Sequence, residues 1–151
     1  MRLVAYDPGE STGYVVCEVE NYELSVLEAG TFKWLPREKL AWELARQIRG
    51  VDVVVYESYT ILPAQYKYNH QGDKGIPLQV IGMIQAFAYL YGKAELVDQP
   101  PTQKAAGYAW MRAKPIRTEA RHALDAKAHA MFYLVTKNLV RLGVDTGISH
   151  S

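Results

Sequence analysis

Residues 51–57 read VDVVVYE. Five apolar side chains, four of them β-branched, with one charge near the start describe a strand buried on both faces, because neither face alternates with polar residues. Such a strand sits inside a sheet and needs neighbours on both edges and helices on both sides. Residues 2–7 (RLVAYD) supply one neighbour: a short apolar run that stops at Pro8-Gly9, a strand entering a turn. Residues 13–20 (GYVVCEVE) and 24–32 (LSVLEAGTF) read as the next two strands, and the short gaps predict an antiparallel meander. Residues 94–98 (AELVD) form a last short strand, closed by Pro100-Pro101.

Helices fill the intervals. Pro36 suits a helix start; Leu40, Leu44 and Ile48 follow at four-residue spacing, and Gly50 is a stop. Pro77 opens a second helix through Tyr91, with Ile81, Ile84, Ala88 and Tyr91 on one face. Thr102 is expected to cap a helix to about Arg112, and Thr118 a long final helix ending near Leu142-Gly143. Residues 58–75 are irregular and rich in Tyr, Lys and Gly, and 144–151 read as a loose tail. The order β-β-β-α-β-α-β-α-α predicts an α/β fold: one domain over 1–143, with a mixed five-stranded sheet and helices on both faces. Three strands form the meander, two are parallel, and the first and fourth lie side by side at the centre.

Composition narrows the function classes. Of the 151 residues, 49% are hydrophobic and 22% charged, enough for a packed core. No run of about 18 apolar residues predicts a membrane span. The single cysteine, Cys17, excludes an internal disulfide framework and a four-cysteine zinc site, and points to a reducing, cytoplasmic setting. The net charge of +1 hides an asymmetry. Residues 1–60 hold six Lys/Arg against ten Asp/Glu, and residues 61–151 hold eleven against six. A basic half beside an acidic half suits a polyanion surface next to a carboxylate site.

Acids stand at the C-terminal ends of both central strands, Asp7 after Val-Ala-Tyr and Glu57 after Val-Val-Val-Tyr. Ligands of α/β sheets bind beyond those ends, and two neighbouring carboxylates there repel unless a cation lies between them. The final helix adds His122, Asp125 and His129, spaced three and four apart and so on one face. The alanines around them let the helix approach the sheet closely. Three acids with one or two imidazoles form a donor set for Mg²⁺ or Mn²⁺. Two such ions would serve an in-line phosphodiester displacement, with a histidine as ligand or as base for the water. Which histidine serves is left open by the spacing. Lys104, Arg112, Lys114, Arg117 and Arg121 give residues 102–121 a surplus of positive charge. Tyr59, Tyr66, Lys67, Tyr68, His70 and Lys74 mix aromatics with cations, a pattern that stacks on unpaired bases and binds phosphates.

These motifs, in this order, resemble the RuvC-type Holliday-junction resolvases of the ribonuclease H-like class. Asp7-Pro8-Gly9 with Thr12-Gly13 resembles their opening strand and turn. Glu57 after three valines and a tyrosine resembles their second acidic strand, and His122-Ala-Leu-Asp125-Ala126 their final helix. Gln99-Pro-Pro-Thr-Gln-Lys104 is similar to their DNA-contacting stretch after the last strand. The compact form is most similar to the phage and prophage type, over roughly residues 1–142. The resemblance implies catalysis by Asp7, Glu57, His122 and Asp125, with two Mg²⁺ or Mn²⁺ ions held by these residues and His129. It also implies a homodimer that nicks four-way junctions. The helix at 77–91 offers Val80, Met83, Phe87 and Leu90 as a contact surface for the second subunit. Alternatives are a flap, branch or RNA–DNA hybrid nuclease of the same fold, and a junction-binding module without catalysis. The stretch 7–13 also resembles the phosphate loop of sugar kinases and actin-like ATPases, but those need two copies of the fold.

Overall fold

The computed structural model describes residues 1–60 and 72–142, with residues 72–74 by backbone alone. Five strands form one sheet: β1 (Arg2–Asp7), β2 (Ser11–Glu20), β3 (Glu23–Lys33), β4 (Val53–Glu57) and β5 (Glu95–Gln99). Their order is β3-β2-β1-β4-β5, with β1 central. β1–β2 and β2–β3 are antiparallel, while β1–β4 and β4–β5 are parallel. This is the expected meander plus parallel pair, with the first and fourth strands adjacent.

The helices are α1 (Arg37–Arg49), α2 (Gly72–Tyr91), α3 (Lys104–Met111) and α4 (Arg121–Thr136), with a 3₁₀ turn at Pro101–Gln103 before α3. They divide the core in two. Leu3, Ala5, Val53 and Val55 pack with Met131 and Leu134 of α4 and Met111 of α3. Val4, Tyr6, Val54 and Tyr56 pack with Leu40 and Leu44 of α1 and Val80 and Ile84 of α2. Alternate side chains of β1 and β4 therefore enter two different cores, which is why neither strand shows polar alternation.

That parity positions the site. Leu3 and Ala5 face α4, so Asp7, next in the period of two, faces it as well. Val53 and Val55 put Glu57 on the same face, and Val97 does so for Gln99 on β5. Three polar strand ends thus line up beneath α4.

Several expected boundaries move. α2 begins at Gly72 and carries Pro77 inside it, where the sequence predicts a start at the proline. Buried Ile76, packed in the same core as Val80, anchors that upstream turn. Val80 is fully buried and therefore belongs to the core, not to a subunit contact. Thr102 lies in the 3₁₀ turn and makes no cap. Neither does Thr118: α4 starts at Arg121 with no side-chain cap, and it ends at Thr136, short of Leu142. Asn138, in the left-handed region at φ 59°, stops the chain from continuing as helix. Most of the loop expected over 58–75 and the tail at 144–151 lie outside the described residues. No described helix is long and apolar enough to cross a membrane.

Candidate active site

The turn after β1 is closed by a buried threonine. Thr12 Oγ1 donates to the Gly9 carbonyl at 3.1 Å and accepts from the Gly9 N–H at 3.3 Å. β2 therefore begins close against the end of β1, and Gly13 pairs with Asp7. A Cβ on Gly13 would stand 1.8 Å from the His122 carbonyl oxygen and 2.7 Å from the Ala123 nitrogen. Only a glycine lets the start of α4 lie this near the sheet. On its other side, a Cβ on Gly107 of α3 would meet the Ala128 carbonyl at 2.0 Å. The two glycines seat α4 so that its acidic face lies over Asp7 and Glu57.

The carboxyls of Asp7 and Glu57 face each other closely enough that both cannot easily carry charge. Asp7 is the one pushed up, to about 9, by burial and by the neighbouring Glu57 and Asp125 carboxylates. Burial works against the charge of Glu57 too, but contacts from His129, Asp7 and Lys104 outweigh it and hold Glu57 at about 2. Asp125 accepts a short hydrogen bond from the Tyr108 hydroxyl. The Lys104 ammonium lies between the acids, 3.3 Å from Glu57 Oε1 and 3.5 Å from Asp125 Oδ2. Burial disfavours its charge, yet Glu57, Asp125 and Asp7 more than restore it.

The two histidines separate. His122 Nδ1 is 3.6 Å from Asp7 Oδ2 and lines the open groove above the acids; burial and nearby Arg121 lower its proton affinity. His129 is completely buried behind Glu57. Its Nε2 is 3.3 Å from Glu57 Oε2, and its Nδ1 is 2.7 Å from Gln99 Oε1. With N–H on Nδ1 donating to Gln99, Nε2 presents a lone pair to a carboxylate; with the Gln99 amide turned end for end, Nε2–H donates to Glu57 and all three groups are satisfied.

Among the described residues no three His, Cys, Asp or Glu side chains already close into a metal cage. The donor chemistry nevertheless fits a hard divalent cation. Asp7, Glu57 and Asp125 offer oxygens, His122 offers an imidazole, and the acids are crowded enough that one keeps its proton. Lys104 now stands where Glu57 and Asp125 would have to converge.

The groove, about 960 Å³, has Asp7, Glu57 and Lys104 along it, with Lys33, Arg121 and His122 at its walls. Of the cations expected on DNA, Arg121 is there, Arg112, Lys114 and Arg117 are exposed on or beside the loop before α4, and Lys104 is instead engaged with the acids. Tyr59 also lines the groove. Lys67, Tyr68, Tyr66 and His70 lie outside the described residues, as does the side chain of Lys74. Sequence reasoning missed Gln99 as a partner of His129, Tyr108 as a partner of Asp125, and Lys33, whose ammonium reaches Glu119 at 2.6 Å and Ser11 at 2.8 Å. Two of these had a signal: Gln99 shares parity with Val97, and Tyr108 is four residues after Lys104 on one helix face.

The sequence matches no protein-family model and no curated protein sequence. Solved structures do match it in shape. T. thermophilus RuvC in complex with a Holliday junction substrate aligns at TM-score 0.62 and 14% identity, over 94% of this chain and 99% of that one. The fowlpox virus Holliday junction resolvase gives 0.62 and 14%, over 90% and 99%. The chain has the RuvC-like, ribonuclease H-like fold. Yeast mitochondrial Ydc2, a third Holliday junction resolvase, shares that fold at TM-score 0.61 and 8% identity, over 88% of this chain and 77% of Ydc2. In the RuvC-like frame Asp7 and Glu57 lie at the carboxyl ends of the two central parallel strands.

Proposed function

We propose that this chain is a metal-dependent endonuclease that nicks four-way DNA junctions as a homodimer. One observation carries the reading. Asp7, Glu57 and Asp125, from two strand ends and a helix, gather around Lys104 and His122, with Asp7 and Glu57 on the groove walled by Lys33 and Arg121 and Asp125 on the adjoining hollow. A binding module gains nothing from carboxylates set against phosphates.

Asp7, Glu57, Asp125 and His122 would hold Mg²⁺ or Mn²⁺, two ions in all, which when bound activate the attacking water and neutralise charge on the phosphate. Tyr108 donates to Asp125 and fixes its rotamer, leaving the other oxygen toward the groove. His129 backs Glu57 from the core, oriented in turn by Gln99; it acts as a positioning residue, not a ligand. Arg121 and Lys33 meet the DNA backbone on either side of the acids, and Arg112, Lys114 and Arg117 extend that contact.

A four-way junction is twofold, so paired nicks call for two sites related by a dyad. Tyr89 and Leu90 on the outer face of α2 are 88% and 72% exposed. Tyr89 shares an apolar hollow with Ala86 and with Leu96 of edge strand β5, and Leu90 stands exposed beside it, a surface suited to a second copy. The test is a nicking assay on matched four-way, flap, hybrid and duplex substrates with Mn²⁺, Mg²⁺ or EDTA. Paired nicks on the junction that vanish in EDTA are expected; preference for the hybrid or the flap, or metal-independent cleavage, would replace the reading.

A further inference from the structure

Lys104 opens α3 directly after Pro100, Pro101 and the 3₁₀ turn, which deliver its stem into the site. Its side chain is three-quarters buried, and its ammonium is 3.3 Å from Glu57 and 3.5 Å from Asp125. A divalent cation takes carboxylate oxygens at roughly 2.0–2.6 Å. An ammonium already lodged between the same two carboxylates cannot share that space, for reasons of size and of like charge.

We propose that Lys104 is an internal stand-in for the metal: its ammonium holds Glu57 and Asp125 in the metal-free protein and must leave before a cation can bind between them. This rests on the reading of the acid cluster as a metal centre. Metal loading is then an exchange of one cation for another, and the apparent affinity for the ion is lowered by the cost of expelling the lysine. The displaced ammonium has somewhere to go. Lys104 lines the groove on both sides of the site, so the charge given up by the acids becomes available to a DNA phosphate. Metal and DNA are thereby coupled through one side chain, and the coupling is reciprocal by linkage.

Lys104→Met keeps an unbranched stem and removes the charge. Lys104→Arg keeps the charge and offers a fork that grips two carboxylates more firmly. Mn²⁺ is titrated calorimetrically into DNA-free wild type and both variants, and thermal melts are recorded without metal. Lys104→Met is expected to melt several degrees lower without metal, because its acids have lost their counter-charge, yet to bind Mn²⁺ about tenfold more tightly. Lys104→Arg is expected to bind Mn²⁺ at least threefold more weakly than wild type. A lysine that merely supports the structure would weaken both melting and Mn²⁺ binding in the Met variant, and unchanged or weaker binding there overturns the proposal. Should the Met variant fail to fold, the Arg variant decides: binding equal to or tighter than wild type overturns it. A wild type that binds no Mn²⁺ at all overturns the metal-nuclease reading itself, an outcome distinct from the other two.

Discussion

Asp7 is half-buried beside Glu57 and keeps its proton well above the ordinary carboxylate range, up to about 9. In the unfolded chain the same group ionises near 3.8. The folded state therefore binds the extra proton across that window, and the stability this contributes is lost as pH rises from about 4 toward 9. Asp7→Asn removes the titration and leaves a group that can still donate to Glu57. Without metal, the variant is expected to be more stable than wild type by on the order of 1–2 kcal/mol at pH 8, a Tm gain of roughly 3–8 °C, with the gap closing toward pH 4. Melting curves at a series of pH values check this. The same variant should lose the Mn²⁺-induced rise in Tm and lower cleavage by orders of magnitude, while junction binding survives. Equal nicking by Asp7→Asn and wild type would remove Asp7 from the ligand set. Asp7 and Glu57 were legible in the sequence because each ends an apolar run whose parity is readable. The partners were less legible: strand parity puts Gln99 on the site's face, but that it backs His129, or that Lys104 sits between acids, depends on how helices seat on strands.

Among the elements, α4 matters most to the site because it is wedged between β2 and α3 through two absent side chains. Gly13→Ala would place a methyl into the backbone of His122 and Ala123, which cannot yield as a side-chain tip could. The helix must move by an ångström or more. A loss of about 2–3 kcal/mol is expected from the overpacking, and cleavage should fall by about 100-fold or more as Asp125 and His122 leave Asp7. Leu44→Ala serves as the control. It lies in the opposite core and should cost a similar 2–5 kcal/mol while leaving cleavage of the folded fraction near wild type. Denaturant melts and single-turnover nicking on the same preparations separate the two. The spacing of His122, Asp125 and His129 made the face of α4 readable, but its ends were not. Thr118 resembles a cap without acting as one, and Asn138 stops the helix by taking a backbone conformation that its sequence neighbours do not announce.

At the level of the whole molecule, five strands with two cores were readable from the contrast between buried parallel runs and the meander. Of the dimer surface expected on α2, Val80 is core and Met83 and Phe87 pack partly against it. One face of α2 fills the core, and the large apolar residues left exposed are Leu78, Tyr89 and Leu90, the last two most of all. Replacing both with aspartate (Tyr89→Asp with Leu90→Asp) should leave the circular dichroism of the monomer unchanged and shift a micromolar dimer to monomer in sedimentation. The doubly substituted protein should then nick junctions singly instead of in pairs. A wild type that sediments as a monomer with junction bound would end the dimer assignment. The close seat of α4 against Gly13 has a consequence for synthesis. Asp7 and Glu57 are synthesised well before Asp125 and His122, which belong to the last described helix. A chain cut short before α4 would carry Asp7 and Glu57 without their third partner and, on the proposed reading, should cleave no DNA.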